Sequence, residues 1–213
     1  MIALINRRRF SVAAASLALL ASGLCWQSSA MAEPAIGKPA PDFALIDSNG
    51  QSQQLKAYRG KTVVLEWTNH DCPYVRKHYG TGNMQALQKQ AAGDGVVWLS
   101  VISSAPGTQG YVEAAEANRL SRERDAAPTA VLLDPRGEVG RLYDARTTPH
   151  MYVIDGDGVL QYKGAIDDRP SSRHASVEGA NNYVSAALVA LKTGQPVSNA
   201  VTRPYGCSVK YGS

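Results

Sequence analysis

Short apolar runs alternate along the chain with segments compatible with helices, and this alternation predicts strands that are each followed by a helix. Thr62-Val63-Val64-Leu65-Glu66-Trp67 and Val96-Val97-Trp98-Leu99-Ser100-Val101-Ile102 are β-branched and apolar with little alternation. That is the pattern of strands covered on both faces. Ala130-Val131-Leu132-Leu133 is a third such run. Helices are expected over 73–79, 83–92, 111–124, 135–144 and 181–192, with Gly80-Thr81-Gly82 breaking the first two apart. Pro73 suits a first helical turn, where its missing N–H is no loss. Asn49-Gly50 lies between two short runs, and Asp155-Gly156-Asp157-Gly158 lies between strand-like runs at 150–154 and 159–162. Both supply the turn chemistry of a tight hairpin. A polar stretch, 167–179, precedes the last helix, and a tail follows from Thr193. The order argues a mainly parallel sheet with helices on both faces, the last hairpin adding an antiparallel edge.

With 213 residues and 44% hydrophobic content, the chain can bury one ordinary domain plus extras. One extra is 1–32. Arg7-Arg8-Arg9 is followed by an apolar run from about Val12 to Trp26 and then by Ala30-Met31-Ala32, the order of a secretory signal cut before Glu33. The run is short of the roughly 20 residues a membrane span needs. Arg7-Arg8-Arg9-Phe10 resembles a twin-arginine export signal, with Asn6 and Ser11-Val12 departing from its usual flanks. Leu24, just before Cys25, argues against a lipoprotein site. The expected product is periplasmic or secreted and meets a membrane only during export. Cleavage leaves 19 basic against 18 acidic residues, so no basic patch for nucleic acid or anionic lipid remains. Cys25 departs too, leaving Cys72 and Cys207 in a compartment that permits their pairing.

Cys72 stands at the junction of strand and helix, where unpaired N–H groups and the positive end of the dipole favour a thiolate. Arg76, one turn on, is expected to add positive charge on the same face, Asp71 to oppose it, and His70 to help only when protonated. The alternative is a buried, inert thiol. Val75 occupies the position three residues on, where a local cysteine partner would stand. A metal set of Cys72, His70, His150 and Cys207 is conceivable, but no H-x-H or C-x-x-C spacing supports it, and none is expected. Nor does any local signature pair Cys72 with a histidine as a protease would. His78 and His174 are read as surface or hydrogen-bonded residues.

In element order over about 33–192 the chain resembles the thioredoxin superfamily, in particular the peroxiredoxin-like branch that includes alkyl hydroperoxide reductase and thiol-specific antioxidant proteins. Strand-then-Cys72-Pro73, Thr148-Pro149 just before a strand, and the 155–158 hairpin with Gly164 beyond it carry the resemblance. It implies an α/β, thioredoxin-like three-layer fold: a central mixed sheet, helices on both faces and an N-terminal β-hairpin. A tail, 193–213, bears Cys207. The resemblance further implies Cys72 as nucleophile, a cis turn at Thr148-Pro149 presenting backbone beside it, and Pro73, Asn69 and Arg146 around the substrate. Departures matter for activity. Asn69 stands where peroxiredoxins place a threonine, Thr68 is one residue off, Leu65 replaces a proline, and Pro149 takes the place of the late arginine, with Arg146 nearby. By the same resemblance Cys207 is the resolving cysteine, which gives a thiol-disulfide oxidoreductase needing no cofactor. Its partners would be a protein disulfide or a small thiol or hydroperoxide, with a thiol electron donor. Two alternatives stay open: a thiol peroxidase acting at Cys72, and a non-catalytic binding module whose disulfide clasps the tail. A clasp over so long a loop stabilises by about 4–5 kcal/mol in the chain-entropy model.

Overall fold

The structure is a computed structural model that describes residues 33–212; the expected signal segment, 1–32, with Arg7, Arg8, Arg9 and Cys25, lies outside the described residues. Asn49-Gly50 turns the chain between β1 (Ala44–Asp47) and β2 (Ser52–Gln54), which pair antiparallel. Gly50 sits at φ +78°, a conformation that costs glycine nothing. The three apolar runs become β3 (Val63–Trp67), β4 (Val97–Ile102) and β5 (Ala130–Leu133). Between them lie α1 (Pro73–Gly80), α2 (Asn83–Gly93) and α3 (Ala114–Glu123). The expected start of α3 at 111 moves to Ala114, since Glu113 keeps extended backbone and caps the helix. After α4 (Glu138–Leu142) come β6 (Thr147–Thr148), β7 (His150–Ile154), β8 (Leu160–Gly164), α5 (Tyr183–Lys192) and β9 (Cys207–Ser208).

The main sheet has the order β2-β1-β5-β4-β3-β7-β8. Only β3–β4 and β4–β5 are parallel, so the sheet is the mixed one that the resemblance implies and is less parallel than the order of apolar runs alone suggests. The N-terminal hairpin adds antiparallel to β5 through Ile46 and Leu133, while β7 and β8 extend the other side antiparallel. Both edges are therefore antiparallel.

All of β3 is buried, and its side chains alternate between two cores. Val63, Leu65 and Trp67 meet Leu99, Leu132, Tyr143, Tyr152 and, from α4, Val139. Val64 meets Trp98, Val153, Val75 and Tyr79 of α1, Met84 of α2 and Val184 of α5. α3 packs Ala117 against Ile102 and Val131. Among the described residues, no helix is long and apolar enough to cross a membrane.

Glu66 departs from this apolar pattern. It is fully buried on the second face, where it accepts hydrogen bonds from Tyr79 Oη (2.9 Å), Trp98 Nε1 (2.8 Å), Ser100 Oγ (3.0 Å) and Gln88 Nε2 (3.2 Å). A buried carboxylate is tolerated when its oxygens are satisfied in this way. The network ties α1 and α2 to β3 and β4, and α1 is the helix that carries Cys72.

Candidate active site

β3 runs out at Trp67, and a short loop delivers Cys72 to the N-cap of α1 with Pro73 as the first helical residue. Asn69 shapes that loop. Its carbonyl accepts the Cys72 amide (3.1 Å), its Oδ1 accepts the Asp71 amide (2.9 Å) and its Nδ2 donates to the Gln109 carbonyl (3.3 Å). Gly110, at φ +84°, makes room for it, since a Cβ there would lie 2.3 Å from Asn69 Cγ. Cys72 itself has no exposed surface, and its Sγ donates to the Thr148 carbonyl at 3.0 Å. The Thr148–Pro149 peptide is cis.

Thr148 also receives the tail. β9 pairs antiparallel with β6, in the register Thr148↔Cys207 and Thr147↔Ser208, so Cys207 lies opposite the residue whose carbonyl binds Cys72. Both thiols are unbonded, and they lie close enough for each to shift the other's acidity. Gly206, at φ +138°, permits this approach: a Cβ there would sit 2.0 Å from the Thr148 carbonyl oxygen. The tail is held on both sides of the pair. Thr202 Oγ1 accepts the Ala165 amide (2.9 Å), the Val209 amide donates to the Arg146 carbonyl (3.0 Å), and Tyr211 Oη donates to the Ala145 carbonyl (2.6 Å).

The two sulfurs differ in acidity. Burial pushes the Cys72 thiol up, but the Cys207 thiol, the Thr148 hydroxyl and the amides of Val75 and Cys207 together bring it below the ordinary thiol value. Among the described residues the buried Thr148 hydroxyl has no hydrogen-bond partner, so it is available to a thiolate. Cys207 is pushed up to about 12, by burial first and then by its hydrogen bond to Cys72 and the charge there. Cys72 is therefore the more acidic thiol of the two and Cys207 the less acidic.

The expected contribution of Arg76 is corrected. Arg76 is exposed and faces a separate cavity beside Gly80 and His174, because the turn of α1 carries it away from the sulfur. Hydrogen-bond donors, not a cation, depress the thiol. Pro73 is exposed at the helix start. Arg146 turns its guanidinium to solvent against Asp144 (2.5 Å) and serves the site through its backbone. His70 stands 3.4 Å from Asp71, and among the described residues no cluster of His, Cys, Asp or Glu could hold a metal ion. His78, read as surface or hydrogen-bonded, is buried and hydrogen-bonded to Asn83 and Tyr205. A groove of about 570 Å³ opens beside Gly206, walled by Tyr74, Tyr183, Thr147 and Pro204. Glu66 and Tyr205 were missed by sequence reasoning. A lone carboxylate in an apolar strand was a signal for the first, and nothing local marks the second.

A cysteine capping the helix after a central strand, faced by a proline turn and a second thiol, defines a thiol protein of the thioredoxin fold. The chain belongs to the AhpC/TSA family, whose model matches residues 36–163. That span contains Cys72 and Pro149 and ends before Cys207. The thiol-disulfide oxidoreductase ResA of Geobacillus kaustophilus is 28% identical over 149 residues, covering 66% of this chain and 76% of that protein. The thioredoxin-like protein YneN of Bacillus subtilis is 29% identical, covering 59% of this chain and 68% of that protein. Among solved structures, an uncharacterized conserved protein from Geobacillus kaustophilus superposes with a TM-score of 0.72 at 27% identity, over 84% of this chain and 93% of that one. A hypothetical protein from Sinorhizobium meliloti shares the fold at 20% identity with a TM-score of 0.73, over 85% and 97%.

Proposed function

We propose that this oxidoreductase carries out thiol-disulfide exchange with Cys72 as nucleophile and Cys207 as resolving cysteine. The observation that carries the reading is the meeting of two unbonded thiols at Thr148, whose carbonyl takes Cys72 and whose ladder partner is Cys207. The Cys72 thiolate attacks one sulfur of a substrate disulfide, forming a mixed disulfide and releasing the other sulfur as a thiolate. Cys72 then no longer carries the charge that holds the Cys207 proton. Cys207 loses its proton, attacks Cys72 Sγ and releases the second substrate thiolate. A thiol donor of the surrounding compartment reduces the Cys72–Cys207 bridge and restores the dithiol.

In this scheme the Thr148 carbonyl holds the resting Cys72 thiol and the Thr148 hydroxyl donates to the thiolate, Pro149 fixes that turn, and Asn69 holds the loop. Pro73 and Arg146 border the approach of the substrate. Peroxide reduction is the less favoured reading: the Asn69 side chain is committed to the loop and the Arg146 guanidinium to Asp144. The resemblance of 1–32 to an export signal supports action outside the cytoplasm, with a mature chain beginning at Glu33.

The test is a trapping experiment. Cys207→Ser, incubated with a disulfide substrate, should accumulate Cys72 in a mixed disulfide visible as one added mass, and Cys72→Ser should accumulate none. Normal turnover by Cys207→Ser would make the bridge a clasp.

A further inference from the structure

α1 carries more than the nucleophile. Lys77 and His78, on its second turn, are both fully buried, and with Asp167, from the loop after β8, they surround the hydroxyl of Tyr205. Lys77 Nζ donates to that oxygen at 3.1 Å and to the Arg169 carbonyl at 3.0 Å, and faces Asp167 Oδ2 at 3.6 Å. Asn83 Nδ2 lies 2.8 Å from His78 Nδ1, which assigns the ring proton to Nε2, 3.3 Å from the same hydroxyl. The hydroxyl in turn donates to Asp167 Oδ1. It is thus held by two donors and one acceptor, and without it a buried ammonium loses a partner. Tyr74 packs edge-on against the ring, with centroids 5.8 Å apart. Nothing in the exchange chemistry uses this cluster, and burying such charges is costly unless they are paired.

We infer that Tyr205 is a positioning residue for the exchange pair: its hydroxyl, gripped by Lys77, His78 and Asp167, sets the register that brings Cys207 to Cys72. The inference rests on the exchange reading above. Its geometry is that of a common ruler. From Cys72 at the N-cap to Lys77 is about 7.5 Å along the helix axis, at 1.5 Å per residue. From Tyr205 to Cys207 the chain spans at most about 7 Å. One helix therefore carries both the nucleophile, at its N-cap, and the grip on the tail two residues before the second sulfur, and Gly206 between Tyr205 and Cys207 closes on Thr148. A shift of one residue in the tail would turn Cys207 to the other side of β9.

The full chain tests this through the equilibrium between its dithiol plus oxidised glutathione and its disulfide plus two reduced glutathiones. That constant reads the effective concentration of one sulfur at the other, whatever the substrate. Tyr205→Phe keeps the ring and removes the hydroxyl; Tyr205→Ala removes both. Hydrogen bonds to charged partners are among the stronger ones, so Tyr205→Phe should lower the constant at least tenfold and Tyr205→Ala further. A tenfold loss appears as a midpoint about 30 mV less negative. Variants that melt earlier but keep the wild-type constant would overturn the assignment, reducing Tyr205 to an ordinary packing residue. Failure of the exchange reading looks different: the bridge forms with the same dependence on Tyr205, but no external disulfide is turned over.

Discussion

Glu66→Leu should cost about 2–6 kcal/mol of folding stability, because the Trp98 indole N–H and the Ser100 hydroxyl lose their acceptor and each buried donor left unsatisfied costs about 1–3 kcal/mol. The leucine fits an apolar strand, so side-chain volume is not the issue. What is lost is the acceptor for Tyr79, Gln88, Trp98 and Ser100, four buried donors on three elements. Gln88 Nε2 retains Tyr79 Oη at 3.1 Å, and the indole N–H is left with no partner. Since natural domains have about 5–15 kcal/mol in total, much of the chain's stability would go. Glu66→Gln keeps one acceptor oxygen and should lose less. Urea unfolding of the three proteins checks this, and a loss under about 1 kcal/mol, within the net worth of one ordinary hydrogen bond, would remove Glu66 from the framework that seats α1.

Acid should unfold the protein through two histidines. His78 is held neutral by burial and then by the charge of Lys77, His150 by burial and then by Lys163 and Arg146 against an opposing Glu33; each falls to about 3. Asp167 and Tyr205 face His78, and Tyr152 faces His150. In the unfolded chain both rings take up protons near pH 6.5. Between about pH 6.5 and 3 the unfolded state therefore binds more protons than the native state, and stability falls as pH falls. Each histidine contributes up to about 1.4 kcal/mol per pH unit, so the loss from pH 6.5 to 4.5 reaches about 4–5 kcal/mol for the pair. His150→Gln, whose amide oxygen can accept from the Arg146 amide as His150 Nδ1 does at 3.2 Å, should halve the slope. A stability flat from pH 7 to 4.5 would contradict the burial of these rings.

What the sequence revealed, and what it hid, follow from how far each signal reaches. Asn49-Gly50, the apolar runs and Pro73 act locally, and each marks its element to within a few residues. Thr148-Pro149 and Cys72 were legible by resemblance, and Cys207 because few cysteines were in play. The antiparallel joining of the hairpin to β5 was not legible, because a strand's partner is a tertiary choice. β6 and β9 have two residues each and no periodicity. Their pairing depends on Gly206 closing on Thr148 and on anchors, Thr202, Tyr205 and Tyr211, that look like any polar tail. Nothing local marks Lys77 and His78 for burial on a short helix, and only the return of Tyr205 over them makes it tolerable. Arg76 shows the same limit, since proximity in sequence to Cys72 does not place it on the same face.

The most direct measurement is a redox titration of the native protein in graded glutathione buffers, with acid quenching and peptide mapping by mass spectrometry. Exchange at Cys72 and Cys207 predicts one intramolecular disulfide between these two residues, opening and closing reversibly with a midpoint above about −300 mV, the region structural bridges do not reach. A bridge that resists reduction beyond that potential, or two cysteines that glutathionylate independently without joining, would contradict it.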